Sequence, residues 1–175
     1  MPVSPSIPSL ETERLLLRGH RREDFAECCA MWGDAAVTRF IGGRPFPKDE
    51  VWTKLLRYVG HWSVLGYGFW VHEERGTGRF AGEVGFADFH RDITPSLEGS
   101  PEIGWVLAPW AQGRGLATEA VRGALKWGAS HLPSQRTVCL ISPENVASIR
   151  VAEKCGYREF QRTTYKGTPT LLFER

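Results

Sequence analysis

Apolar positions along the chain change period several times, and each change marks an element. Glu13–Arg18 (ERLLLR) is a short apolar run bounded by Gly19, which predicts a strand. From Arg22 to Trp32, Phe25, Cys28, Cys29 and Trp32 recur at helical spacing, with Gly33 as a stop. Gly42, Gly43, Pro45 and Pro47 mark a loop. A second helix runs from about Lys48 to Val64, with Trp52, Leu55, Leu56 and Val59 on one face and Gly66 at its end. Strand patterns follow at Gly68–Glu73, Arg79–His90 and Glu102–Leu107. Between them lie a Gly76-Thr77-Gly78 turn and the polar stretch Arg91–Ser100, predicted as a surface loop. Pro109 closes the fourth strand, Glu102–Leu107, because proline cannot donate to a sheet. A long helix then reaches about His131 on a stripe of Ala117, Ala120, Val121, Ala124, Leu125 and Trp127. Thr137–Ile141 is an apolar strand. Asn145–Lys154 is a helix with Ile149, Val151 and Ala152 inward and Gly156 as its stop. Tyr157–Arg162 and Tyr165–Phe173 end the pattern as two strands.

Consecutive strands in the middle of this order imply antiparallel pairing, and the strand–helix–strand step from Glu102 to Ile141 implies a parallel pair. The fold class is α/β, with a mixed, largely antiparallel sheet. The 175 residues suit one domain, 10–175, behind a Ser/Pro-rich leader at 1–9. A net charge of +2 is too neutral for a protein held to nucleic acid by phosphate neutralisation, so no nucleic-acid partner is expected. No apolar run approaches the roughly 20 residues of a membrane helix, and no signal peptide is read at the N-terminus. The four cysteines form no CxxC pair and the histidines no ligand cluster, so no metal is expected. Reduced buried thiols place the chain in the cytoplasm.

The 19 glycines change the picture at one place. Gln112-Gly113-Arg114-Gly115-Leu116-Ala117 lies between a strand and a helix and carries little side-chain bulk. Backbone N–H groups there can converge where a helix start focuses about half a positive charge, which suits a phosphate or pyrophosphate. Arg114 and Thr118 offer further donors. Neither GxxxxGK[ST] nor GxGxxG is satisfied, so a P-loop or nucleotide dehydrogenase is unsupported.

This loop resembles the Q-x-x-G-x-A acyl-CoA signature of the GNAT superfamily of N-acetyltransferases. Asn145–Tyr157 (NVASIRVAEKCGY) resembles its N-x-x-S-x-x-x-x-E-K-x-G-[FY] segment. Leu10–Arg18 (LETERLLLR) resembles the L-x-T-x-R-L-x-L-R start of the branch that holds the ribosomal-protein-alanine N-acetyltransferases. The resemblance implies two central strands, Glu102–Leu107 and Thr137–Ile141, that splay apart around acetyl-CoA as co-substrate. It further implies pantetheine beside Trp105, Val106 and Leu107, the pyrophosphate on Gly113–Ala117, and Asn145 and Ser148 across the cleft. The acceptor is then an amine, either a protein N-terminus or a small molecule such as an amino acid, polyamine or antibiotic.

Acetyl transfer requires a neutral amine and a leaving thiolate. Glu102, opening its strand beside the thioester, is the first candidate base, acting through a water. Glu83, between apolar positions on a polar strand face, is the second. Where many relatives carry a tyrosine acid this chain has Ala152, so Ser148 is the replacement. Tyr157 reads as core, and Cys155, at the apolar end of a helix, is a poor nucleophile. A rival reading is a non-catalytic acyl-CoA-binding module. The final strands offer an edge for a homodimer that nothing in the sequence requires.

Overall fold

The computed structural model describes residues 7–175. Residues 1–6 of the expected leader lie outside the described residues. Ile7 and Pro8, by contrast, are docked. Ile7 packs on the main core, and the Pro8 carbonyl accepts from Trp70 Nε1 at 2.8 Å. One apolar side chain and one carbonyl suffice to hold a segment that Ser/Pro composition reads as loose.

Eight strands form one sheet. They are β1 (Leu10–Glu11), β2 (Leu15–Arg18), β3 (Phe69–Glu74), β4 (Phe80–Ala87), β5 (Glu102–Leu107), β6 (Val138–Ile141), β7 (Arg158–Tyr165) and β8 (Thr168–Glu174), in the order β1-β2-β3-β4-β5-β6-β8-β7. All pairs are antiparallel except β5 with β6. The helices are α1 (Phe25–Trp32), α2 (Ala35–Thr38), α3 (Lys48–Leu65), α4 (Leu116–His131) and α5 (Val146–Lys154). The strand expected over Glu13–Arg18 is β2, and a further short strand, β1, precedes it across a turn in which Thr12 N–H donates to the Leu15 carbonyl at 2.9 Å.

One sheet face carries the larger core, where Leu15, Leu17, Val84, Phe86 and Ile103 meet Leu116, Ala120, Val121 and Ala124 of α4. On the other, Cys28, Met31 and Trp32 of α1 and Val51 and Leu55 of α3 cover Val71, Phe80 and Val106. Two expectations need correction. The buried face of α3 is Val51, Leu55, Tyr58 and Trp62, whereas Trp52, Leu56 and Val59 are exposed. That helix carries two apolar stripes, and the sheet covers only one. Arg91–Ser100 is not simply a surface loop, because Ile93 and Leu97 are buried against Val138 and Leu172.

Candidate active site

A single register pair, Glu102 with Val138, joins β5 to β6. Beyond it Cys139, Leu140 and Ile141 pair only with β8, while Gly104–Leu107 keep only β4 as neighbour. The strands therefore open into a wedge, and the β6-facing backbone edge of β5 is free to pair with an extended ligand. A cavity of about 570 Å³ fills the wedge. Glu102, Trp105, Val106, Asn145 and Ser148 all line it. Leu107 and Gln112–Thr118 lie past it, where β5 ends.

At that end the chain turns through a short 3-10 turn, Pro109–Ala111, into the glycine loop. Gly113 and Gly115 take φ of +71° and +77°, a left-handed conformation that favours glycine. Gly115 caps α4, whose first bond runs from Glu119 N–H to the Gly115 carbonyl at 3.2 Å. Among the described residues, no N–H from Gly113 to Thr118 donates to a backbone acceptor. Amides left free at the start of a helix dipole are an arrangement that suits an anion. Leu116, buried in the main core, anchors it; Ala117 is partly buried behind it. Gln112 Nε2 ties the loop back to the Leu107 carbonyl at 3.3 Å. The Arg114 guanidinium turns to Glu74 Oε1 at 2.8 Å, so the arrangement rests on amides more than on this side chain.

The N-terminal motif explains how the loop is held. Thr12 Oγ1 and Arg14 N both donate to Glu119 Oε1, at 2.6 and 2.7 Å. Arg14 Nε binds Glu119 Oε2 at 2.7 Å, and its Nη1 reaches the Arg114 carbonyl at 2.9 Å. Thr12 and Arg14 thus clamp the first turn of α4, a role not read from the motif. Their separation from Glu119 by more than a hundred residues hides it.

Asn145 caps α5 by accepting from Ser148 N–H at 3.2 Å. Ala152 is fully buried in the main core and does not line the cleft, so α5 offers no tyrosine hydroxyl there. Tyr157 is core, its hydroxyl 2.6 Å from that of Thr137. Burial pushes the Cys155 and Cys139 thiols up, which keeps both as poor nucleophiles.

The two candidate bases sit differently. Glu102 lies at the closed end of the wedge, both oxygens held by Arg91 at 2.6 and 2.8 Å. Glu83 is not on a polar face. It is 1% exposed beneath α1, and it does not line the cleft. It accepts from Trp32 Nε1 at 2.9 Å and from Cys28 Sγ at 3.3 Å, and His20 Nε2 lies 2.9 Å away. Burial alone would raise its pKa. The hydrogen bond and charge of His20, the Trp32 N–H and the Lys54 charge outweigh burial and hold the carboxyl below its ordinary value. Its geometric effect is on Trp32, whose ring stacks on Phe46 at 5.3 Å and lines the cleft.

The α3 side of the cleft holds residues that strand and helix patterning does not single out, above all Lys54 and Arg57. Lys54 Nζ sits 4.2 Å from the Trp32 ring centroid, and burial, with the Arg57 charge, lowers its pKa to about 8.

Residues 14–158 match the acetyltransferase (GNAT) domain family, and the chain belongs to that family. The chain is an acetyl-CoA-dependent N-acetyltransferase. It is 37% identical over 161 residues to the uncharacterised N-acetyltransferase YnaD of Bacillus subtilis, covering 90% of this chain and 89% of the relative. A GNAT-family acetyltransferase structure from Bordetella pertussis is 32% identical, with a TM-score of 0.84 over 96% of this chain and 99% of that one. RimL, a ribosomal L7/L12 α-N-protein acetyltransferase solved with coenzyme A, shares the fold at 16% identity and a TM-score of 0.77, over 96% and 97% of the two chains. The described residues contain no group that could hold a metal ion, and no helix long and apolar enough to cross a membrane.

Proposed function

We propose that the chain moves an acetyl group from acetyl-CoA to a primary amine by direct attack in a ternary complex. The observation that carries this reading is the wedge between β5 and β6, open along one backbone edge, with the amide-rich loop following where β5 ends. In this reading the pyrophosphate sits on the N–H groups of Gly113–Thr118, with Gln112 and Arg114 shaping the loop. Pantetheine pairs with Trp105, Val106 and Leu107, and the thioester lies between β5 and Asn145. An N–H near Val106 polarises the carbonyl, so positioning supplies most of the acceleration.

Among the described residues, Glu102 is the one carboxylate lining the cleft. It receives the amine's proton through a water, with Arg91 fixing its orientation. Ser148 is the hydroxyl nearest in role to an acid for the thiolate, which leaves readily without one. The acceptor is a protein N-terminal amine or a small-molecule amine. Thiol release from acetyl-CoA, measured with N-terminal peptides and small amines, tests the reading. Glu102→Gln is expected to lower kcat about 10²-fold with CoA affinity unchanged, and Ser148→Ala to change it little. Unchanged turnover in Glu102→Gln removes Glu102 as the base.

A further inference from the structure

Among the described residues, four cations line the cleft, Lys54, Arg57, Arg91 and Lys166, against the single carboxylate of Glu102. Arg91 binds both oxygens of Glu102, so that pair is mutually satisfied. Lys54 and Arg57 are different. They stand one turn apart on α3, side by side on the helix surface. Among the described residues neither has a carboxylate within ion-pair distance. Aromatic rings hold them instead. Lys54 Nζ lies 4.2 Å from the Trp32 centroid and 5.2 Å from that of Phe46, and Arg57 Cζ lies 4.9 Å from that of Phe89. Trp32 is in turn fixed by its hydrogen bond to buried Glu83.

Lys54 and Arg57 thus stand side by side over ring faces in a concave site with no ion-paired carboxylate. Burial first and the Arg57 charge second lower the Lys54 pKa, the Glu83 charge offsets this only in part, and an anion seated on the pair relieves it. The cofactor's pyrophosphate has its own cradle, since none of Gln112–Thr118 lines this cavity. A polyamine acceptor would bring more positive charge to a cleft that already has an excess of it.

We infer that the acceptor amine carries a carboxylate, seated on Lys54 and Arg57, with an apolar body against the surrounding rings. The inference rests on the acetyl-transfer reading above, in which the thioester lies along β5 and the amine therefore enters from the α3 side of the same cleft. The carboxylate belongs either to a free amino acid or to an acidic side chain beside a peptide's N-terminal amine, and the assay separates these sources.

The test compares L-phenylalanine, phenylalaninamide, phenethylamine, spermidine and Asp-Phe and Asn-Phe peptides blocked at the C-terminus, by thiol release from acetyl-CoA. In parallel, N-acetyl-L-phenylalanine, its amide and the two N-acetylated peptides are titrated calorimetrically into the CoA-bound protein. At least one carboxylate-bearing compound is expected to exceed its neutral counterpart about tenfold, and the one that does identifies the source. Lys54→Met with Arg57→Gln is expected to reduce that preference to about threefold or less, with CoA affinity unchanged, while Lys54→Arg retains it. Equal use of acid and amide, preferred use of spermidine, an unchanged preference in the double variant, or no binding of any acetylated compound overturns the inference. Failure of the acyl-transfer reading has a separate signature, CoA binding without thiol release to any amine. The acid-to-amide binding ratio still decides the anion site in that case.

Discussion

Replacing Glu83 with alanine isolates what the buried network does for the cleft. The carboxylate accepts from Trp32 Nε1–H at 2.9 Å and from Cys28 Sγ at 3.3 Å, and pairs with His20 Nε2 at 2.9 Å. A carboxylate only accepts, so His20 carries its proton on Nε2, and its Nδ1 is buried without a partner. A buried donor left unpaired costs about 1–3 kcal/mol, and two strong donors lose their acceptor here, giving about 4 kcal/mol. At about 2–4 °C per kcal/mol for a chain of this size, melting falls by roughly 8–16 °C. Glu83→Gln serves one donor with its amide oxygen but turns its NH₂ toward the other, for a loss of about 1–2 kcal/mol. Because the folded carboxyl titrates below its unfolded value of about 4.3, its contribution is present above that pH and lost as pH falls further. Scanning calorimetry from pH 7 to pH 3.5 reads both effects, and the gap between wild type and Glu83→Gln narrows at the acid end. Once Trp32 is released, KM for the amine rises more than Kd for CoA. A Glu83→Ala protein melting within about 2 °C of wild type refutes this account of the network.

Arg14→Ala removes the guanidinium's bonds to Glu119 and the Arg114 carbonyl, leaving Glu119 held by Thr12 Oγ1 and the backbone N–H of residue 14. Arg14 is about half exposed, so stability falls by less than about 1 kcal/mol. The Kd for CoA rises about three- to tenfold by calorimetry as the loop loosens, and an unchanged Kd contradicts the clamp. His72 is fully buried, with neither ring nitrogen partnered among the described residues, and burial lowers its pKa to about 4. The unfolded imidazole, at about 6.5, binds a proton through the window between these values, so stability drops by about 3 kcal/mol as pH falls across it. His72→Gln is expected to flatten that slope in urea titrations, and an identical slope rules His72 out as its source.

The glycine loop was legible because its geometry leaves few alternatives. Gly113 and Gly115 occupy left-handed positions at a strand-to-helix junction, and Gln112 reaches back to the strand end. The order of the longer elements and the parallel step from β5 to β6 were also legible, since period changes and turn residues punctuate them, whereas β1 and α2, of two and four residues, are too short to show a period. The buried face of α3 was not, because Trp52, Leu56 and Val59 make as good an apolar stripe as the one the sheet covers. Ile93 and Leu97 are too sparse within a polar stretch to announce a buried loop. The Glu83–His20–Trp32 network and the Lys54–Arg57 pair depend on contacts between distant segments. A lone glutamate in a strand and two cations on an amphipathic helix have ordinary solvated readings until the fold brings rings and charges around them.

Two-substrate initial rates test the central claim most directly. With acetyl-CoA and a carboxylate-bearing amine varied together, direct attack in the wedge predicts double-reciprocal lines that intersect, and no acetylated protein by mass spectrometry when the amine is withheld. Parallel lines, with an acetyl group recovered on the chain, would contradict it.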